Sequence, residues 1–148
     1  LKTIHGKIEG PIPPLNLEFE MRVHDVCLEA IKLGIIKSAH DISDGGLAVC
    51  ISESLISSNK NLGAKLDISR KLRNDEMLFG ECQSAVVVSL EEKDLIDLVI
   101  IAQKFDIPTQ SIGKVTSDGQ LIINDLIKSD ISKLDNIYNS SLENKITQ

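Results

Sequence analysis

The sequence is poor in aromatic residues, which make up 3% of its 148 residues, and it has no Trp. Its core is therefore expected to consist of Ile, Leu, Val and Ala, in a chain long enough for one domain. It also lacks any apolar run of the roughly 18 residues that a membrane-spanning helix needs. These absences predict a globular domain without a membrane partner.

Positive charge and cysteine are also scarce. The net charge of −6 gives no electrostatic case for binding nucleic acid. The cysteines, Cys27, Cys50 and Cys82, are odd in number, far apart and without a CxxC motif. This argues against a disulfide framework and a zinc ribbon, and predicts a reducing cytoplasm. Residues 1–14 lack the basic-then-apolar order of a signal peptide, which agrees with that location.

Three segments are predicted along the chain. Residues 1–14 form an extended lead-in, because Pro13 and Pro14 disfavour a helix. Residues 15–130 form a single α/β domain, and residues 131–148 form a polar tail or a weak terminal helix. The first helix is expected to be capped by Asn16, to end at Gly34, and to bury one apolar stripe. The stripe consists of Phe19, Val23, Val26, Cys27, Ala30 and Ile31.

Strand and helix patterns alternate after this helix. A short strand leads to Asp41, and a helix with Leu47, Cys50, Ile51, Ser54 and Leu55 on one face follows Gly46. Alternation in "AKLDI" predicts a strand, and a helical turn breaks at Gly80. The β-branched run "SAVVVSL" predicts a central strand buried on both faces. The helix in "EEKDLIDLVIIAQKF" is expected to bury Leu95, Leu98, Val99, Ala102 and Phe105.

The last predicted strands, "TQSIGKV" and "QLIIND", read as a hairpin joined by "TSDG". The whole pattern predicts an α+β layered fold, with a mixed, partly antiparallel sheet and flanking helices.

The stretch "HDISDGG", residues 40–46, is the first concentration of chemical groups. It fits a capped helix with a glycine turn, in which the Asp44 carboxylate accepts hydrogen bonds from first-turn amides. It also fits an anion site at a helix start, with the Gly45 and Gly46 amides facing a phosphate. A third interpretation is a Mg²⁺ site on Asp41 and Asp44. The Lys-Ser/Thr that follows the glycines of a P-loop is missing.

The histidines are weaker candidates for chemistry. His40 could act as a general base oriented by Asp41 or Asp44, but a structural histidine at a strand end fits its position better. His24 and Cys27 share a helix face without further zinc ligands nearby in the sequence.

The stretch "GECQS", residues 80–84, is the second concentration of chemical groups. Glu81, Gln83 and Ser84 place donors and acceptors directly before a predicted buried strand, where they could hold a polar ligand. Cys82 could be a nucleophile, although no neighbouring base is indicated. The alternative is a loop that satisfies only its own backbone.

These two motifs, in this order, resemble the carboxy-terminal part of the phosphoribosylformylglycinamidine synthases. The resemblance covers roughly residues 6–124 and rests on "AHDISDGGLA", "NDEMLFGECQSAVVVSL" and "IGKVTSDGQLII". The "SDGG" form is similar to the second of the two halves of these enzymes, so the chain resembles the carboxy-terminal domain of that half. The implied fold is that of the aminoimidazole ribonucleotide synthetase superfamily, partly ferredoxin-like.

The resemblance implies an ATP-dependent carbon–nitrogen ligase of purine biosynthesis. The whole enzyme converts formylglycinamide ribonucleotide to the amidine: ATP activates the amide oxygen as a phosphate ester, and ammonia from glutamine displaces the phosphate. ATP and Mg²⁺ would serve the whole enzyme, with none expected on this domain alone. The implied partners are the amino-terminal ATP-binding domains and a glutaminase subunit or domain. Alone, the domain would be inactive and could self-associate through exposed apolar surface.

The resemblance carries over to a limited set of ligand-binding candidates: Asp44, Gly45, Gly46, Glu81, Cys82, Gln83 and Ser84. No catalytic or metal-binding residue is assigned. Cys82 replaces the usual serine of the Glu-Ser-Gln element, and Ala85 replaces a common Arg, which weakens the case for phosphate binding. Two alternatives stay open: another ATP-using member of the superfamily, such as an aminoimidazole ribonucleotide or selenophosphate synthetase or a hydrogenase maturation enzyme, and a structural domain with an empty cleft.

Overall fold

A computed structural model describes Gly6 and residues 15–58, 61–69 and 71–141. The predicted lead-in, residues 1–14, lies outside these ranges except for Gly6. The helices are α1 (Leu17–Lys32), α2 (Gly46–Ser57), α3 (Asn74–Phe79), α4 (Leu95–Lys104) and α5 (Ile131–Ser140). The strands are β1 (Ile36–Asp41), β2 (Gly63–Leu66), β3 (Val86–Leu90), β4 (Gly113–Thr116), β5 (Gln120–Ile123) and β6 (Ile127–Asp130).

Helix α1 begins and ends where its sequence predicts. The Asn16 side chain accepts a hydrogen bond from the Phe19 amide at 3.0 Å, which caps the first turn. At the other end, Gly34 has a φ of +73°, and the Ile35 amide donates to the Ala30 carbonyl. This left-handed glycine closes the helix as predicted. Val23, Val26 and Ala30 of the predicted stripe are buried, whereas Ile31 is exposed.

The strands form two sheets. β1 and β3 make a two-stranded antiparallel sheet, and the other four make a sheet in the order β4-β2-β5-β6. In the larger sheet, β2 is antiparallel to β4 and parallel to β5, and β5 is antiparallel to β6. The prediction of an α+β fold with a mixed, partly antiparallel sheet is confirmed.

The predicted hairpin of the last strands is wrong. β2 lies between β4 and β5, so the strands joined by "TSDG" are not neighbours. The local turn still forms, because Asp118 accepts hydrogen bonds from Thr116 and from the Gln120 amide. Gly63 gives β2 the room to enter beside this turn, since a Cβ there would overlap the Gln120 backbone. The hairpin in this part of the chain is instead β5–β6.

The prediction for "SAVVVSL" is wrong in part. Among the described residues, β3 pairs with β1 alone, so it is not a central strand, and all five of its residues are only partly buried. Both faces nevertheless contact apolar neighbours. Val87 packs against one hydrophobic cluster, and Val88 and Leu90 pack against another. Packing on both faces explains the β-branched run without a second neighbouring strand.

Two hydrophobic clusters hold the layers together. The larger one joins α2, α3 and α5 to the four-stranded sheet, with Leu121 and Ile123 almost fully enclosed. The smaller one lies between α1, α4 and the two-stranded sheet. Across this second layer, Lys104 forms an ion pair with Glu29 at 2.7 Å.

One of the last two helices differs in part from its predicted form. A 3-10 turn, Glu92–Asp94, precedes α4. Leu98 and Ala102 are buried as expected, whereas Leu95 is exposed and Ile101 is buried instead. Residues 131–140 form a helix, which is one of the two alternatives that the sequence left open for this segment, and Ile131 belongs to the larger cluster.

Candidate functional site

The pairing of β1 with β3 brings the two polar motifs together. The strands are antiparallel, and Asp41 at the end of β1 stands opposite Val86 at the start of β3. The Ile42 amide continues this pairing by donating to the Ala85 carbonyl at 2.9 Å. The loop after β1, which carries Asp44, therefore lies beside the loop before β3, which carries Glu81.

The prediction that Asp44 caps α2 is wrong. Gly45 occupies the N-cap with a φ of +82°, and none of the described side chains caps this helix end. Because Gly45 and Gly46 both have left-handed backbone, the helix starts later and Asp44 stays exposed on the preceding turn. The two glycine amides have partners within the chain: Gly45 donates to Glu81 Oε1 at a long 3.4 Å, and Gly46 donates to the Ser43 carbonyl at 3.0 Å.

Gly46 lies directly against the segment that leads into the second motif. A Cβ at Gly46 would be 2.6 Å from the Phe79 carbonyl carbon and 2.9 Å from the Gly80 oxygen. Such contacts are too close for any side chain. The glycine pair thus has a structural role: it lets the start of α2 pack on the end of α3, which places residues 81–84.

A cleft of about 610 Å³ lies between these loops and the start of α1. Its lining includes five of the seven predicted ligand-binding residues: Asp44, Glu81, Cys82, Gln83 and Ser84. The two exceptions are Gly45 and Gly46. Gly45 contacts Glu81, and Gly46 packs against the backbone of Phe79 and Gly80. The rest of the lining is Leu15, Glu20, His24, Asp41, Ile42, Ser43, Ala85 and Val86.

The charged groups of this cleft are mostly acidic. Among its described lining residues are four carboxylates (Glu20, Asp41, Asp44 and Glu81), one imidazole, and neither Lys nor Arg. A phosphate on this wall would meet like charge, and the nearby glycine amides are already used. The wall by itself therefore does not fit an anion, and it suits neutral or hydrogen-bond-donating groups of a ligand.

Sequence reasoning missed the contribution of α1 to the cleft. Glu20 and His24 lie one helical turn apart, with His24 Nε2 3.0 Å from Glu20 Oε1. Glu20 Oε2 accepts a hydrogen bond from the Ser84 hydroxyl. The spacing of four residues in a polar stretch indicates a shared helix face, but no sequence pattern connects that face to a loop 64 residues away.

His40 does not line the cleft. Its Nδ1 is 2.8 Å from the carbonyl oxygen of Asp41, and its Nε2 is 3.3 Å from a carboxylate oxygen of Glu53 on α2. These contacts tie β1 to α2, in keeping with the structural role that the sequence favoured.

The three cysteines are free thiols in different environments. Burial raises the pKa of the Cys50 thiol from 9.0 to about 11, helped by the negative charges of Asp41 and Glu53 and by Cys82. Burial also raises the pKa of Cys27. Cys82 is the exposed one and lies in the cleft. Elevated pKa values make Cys27 and Cys50 poor nucleophiles.

Neither a metal-binding cluster nor a membrane-spanning helix is found in the described ranges. Residues 15–58, 61–69 and 71–141 contain no group of three or more His, Cys, Asp and Glu side chains arranged to hold a metal ion. Within the same part of the chain, no helix combines the length and apolarity needed to cross a bilayer.

The sequence of this domain matches a known protein family. The family described as "AIR synthase related protein, C-terminal domain" matches residues 7–125. The chain belongs to this family. The matched residues include both polar motifs and the strands that bring them together, so the cleft lies within the family's domain.

Curated relatives of this family member are synthase subunits. The chain is 34% identical over 146 residues to the phosphoribosylformylglycinamidine synthase subunit PurL of Alkaliphilus metalliredigens, covering 97% of this chain and 20% of that protein. It is 38% identical over 121 residues to the same subunit of Symbiobacterium thermophilum, covering 80% and 16% respectively. The chain therefore spans about a fifth of the length of these relatives.

Solved structures share the fold of the family member. Thermotoga maritima PurL complexed with ATP matches with a TM-score of 0.73 and 19% identity, over 86% of this chain and 23% of that one. The complex of T. maritima PurL with FGAR matches with a TM-score of 0.67 and 20% identity, over 78% and 21%.

Proposed function

We propose that this chain is the carboxy-terminal domain of the second half of a phosphoribosylformylglycinamidine synthase, and that it forms one wall of a ligand cleft. The observation that carries the proposal is the meeting of the "DGG" and "ECQS" loops at a 610 Å³ cleft, within a domain similar to PurL subunits over most of its length. The activity proposed for the whole protein is ATP-dependent conversion of formylglycinamide ribonucleotide to the amidine, in the cytoplasm.

The proposed division of labour follows from the charge of the wall. ATP and Mg²⁺ serve the whole enzyme, yet the described cleft residues offer no cation for a triphosphate and do not fit that group alone. Other domains of the same protein would supply those cations. This chain would contact uncharged parts of the ligand through Gln83 and through the groups around it, and would exclude water from one side.

The partners follow from the length of the relatives. Because the chain spans about a fifth of them, amino-terminal ATP-binding domains of the same protein are the first proposed partner. A glutaminase subunit or domain that delivers ammonia is the second. The fold match to the T. maritima structure described as PurLQS, with a TM-score of 0.71 over 90% of this chain, is compatible with such an assembly.

A second candidate function is a structural domain whose cleft stays empty. The observation in its favour is the use of the Gly45 and Gly46 amides within the chain, since an anion-binding loop would leave them free.

Turnover by the complete protein that contains this chain tests the proposal. Formylglycinamide ribonucleotide, ATP and ammonia should yield the amidine, ADP and phosphate in equal amounts, measured by chromatography. No product under conditions where the protein is folded and binds ATP would contradict the assignment to this enzyme, in favour of another ATP-using member of the superfamily.

A further inference from the structure

The loop that carries Cys82 and Gln83 is held at both of its ends by carboxylates. At one end, Glu81 accepts from the Gly45 amide at 3.4 Å. At the other end, Ser84 donates its hydroxyl proton to Glu20 of α1. The exposed residues Cys82 and Gln83 lie between these two ties. The position of the loop therefore depends on a helix that is distant in sequence.

Ser84 needs this tie because its backbone is strained. Its φ is +58°, in the left-handed region that residues with a side chain adopt at a cost. A hydrogen bond from its hydroxyl to a carboxylate is of the stronger, charge-assisted kind and offsets that cost. Without this hydrogen bond, the conformation of the loop would be less stable.

Glu20 is itself held from two sides. One oxygen receives the Ser84 hydroxyl, and the other is 3.0 Å from His24 Nε2. The carboxylate thus has hydrogen-bonding partners within the chain and does not depend on a ligand cation. Its side chain is 29% exposed, so the contact lies partly out of solvent, where a hydrogen bond to a charged group counts for more.

We infer that Glu20 is a positioning residue for the ligand of this cleft, acting through Ser84 on the loop that presents Gln83 and Cys82. The inference rests on the proposed function, because that function supplies the ligand. The hydrogen bond between Ser84 and Glu20 rests on geometry alone. A carboxylate is the best group here because it accepts from both partners at once. Glutamine preserves the bond from Ser84, and it requires His24 to present an unprotonated Nε2.

The experiment compares Glu20→Ala, Glu20→Gln and Glu18→Ala in the complete protein that contains this chain. Glu18 is an exposed acid on the first turn of the same helix, which makes it a matched control. Amide hydrogen exchange of residues 81–86 is measured without ligand. Calorimetry with formylglycinamide ribonucleotide and with ADP then gives the dissociation constants.

The tie predicts faster exchange in residues 81–86 for Glu20→Ala, by about tenfold or more, with exchange in α2 unchanged. The affinity for the probe that binds wild type should also fall, because a loosened loop lowers the fraction of protein that is competent to bind. Glu20→Gln should recover most of both losses, and Glu18→Ala should match wild type. Ser84→Gly, in which glycine accepts the backbone without strain, should also loosen the loop while folding normally.

Three results would overturn the inference, each in a different way. Unchanged exchange in both Glu20→Ala and Ser84→Gly would show that no tie exists. Faster exchange with unchanged affinity would reduce Glu20 to a structural residue. If the wild-type protein binds neither probe, the proposed function itself fails, and the exchange data separate that failure from the absence of the tie.

Discussion

At the scale of single residues, Gly46 decides whether the two motifs can meet. Its backbone has a φ of +73°, and the place of its missing side chain is taken by the backbone of Phe79 and Gly80. The sequence marks the glycine pair as special, but it suggests ligand approach as readily as internal packing. Only the tertiary structure distinguishes these roles, because the packing partner lies more than 30 residues away in the chain.

Substitution of Gly46 tests this packing against a control with the same backbone. Gly34 also has a φ of +73°, and an added Cβ there meets no atom of the described residues within 4 Å. Gly34→Ala should therefore cost only the backbone term, about 1–2 kcal/mol. Gly46→Ala should lose a further 1–3 kcal/mol or so from overpacking. Equal losses in urea denaturation would show that the contact with residues 79–80 is unimportant.

The Cys50 thiol predicts a stability change at alkaline pH. Its pKa is about 11 in the folded protein against an ordinary 9.0, so between these values the unfolded chain loses a proton that the folded chain keeps. The favourable contribution of Cys50 is present in full below pH 9 and is lost as the pH rises toward 11.

Denaturant unfolding at several pH values checks this change. The free energy of unfolding should decline less steeply from pH 9 to 11 in Cys50→Ala than in wild type. Identical slopes in the two proteins would contradict a raised pKa at Cys50.

At the scale of elements, local patterns predicted most helices and strands but not their pairing. Caps and apolar periodicity fixed α1, whose determinants, Asn16 and Gly34, are both local. The "TSDG" turn is also local, and it forms. Whether its flanking strands pair depends on β2, which enters between them from nearly 50 residues earlier. The exposure of β3 likewise depends on which strands are neighbours, information that its own residues do not carry.

Helix α5 provides a prediction at this scale. Ile131, at its start, is 6% exposed in the larger cluster, and Ile137, on the same helix, is 57% exposed. Ile131→Ala should lower the free energy of unfolding by about 2–5 kcal/mol, and Ile137→Ala by about 0.5 kcal/mol or less. Comparable small losses at both positions would mean that residues 131–140 are a dispensable tail.

At the scale of the whole molecule, the chain exposes apolar side chains on two adjoining helices. Leu17, Met21 and Leu28 of α1 and Ile96 and Ile100 of α4 are all more than half exposed. A monomeric soluble domain rarely exposes a large apolar patch. This surface is consistent with the proposed packing against other domains of a longer protein.

Self-association of the isolated chain follows from that surface. Sedimentation should show a mass that grows with concentration, and the double substitution Met21→Lys with Ile100→Lys should shift the chain toward monomer, since buried charge disfavours the contact. A wild-type chain that remains monomeric at high concentration would contradict the prediction.

The site itself was predictable only in part. The polar loops were found from their residue types, and five of seven candidates line one cleft. The sequence did not predict the acidic character of the wall or the contribution of α1 to it, because both arise where segments distant in sequence meet.

The most direct test of a ligand-binding wall is calorimetry on the complete protein with formylglycinamide ribonucleotide and ADP, comparing wild type with Glu81→Ala and with Glu92→Ala, an exposed acid outside the cleft. The account predicts binding by wild type and by Glu92→Ala, with affinity lower by about tenfold or more in Glu81→Ala. Equal affinities in all three proteins would contradict a ligand-binding role for the wall that carries Glu81 and would favour a structural role for the domain.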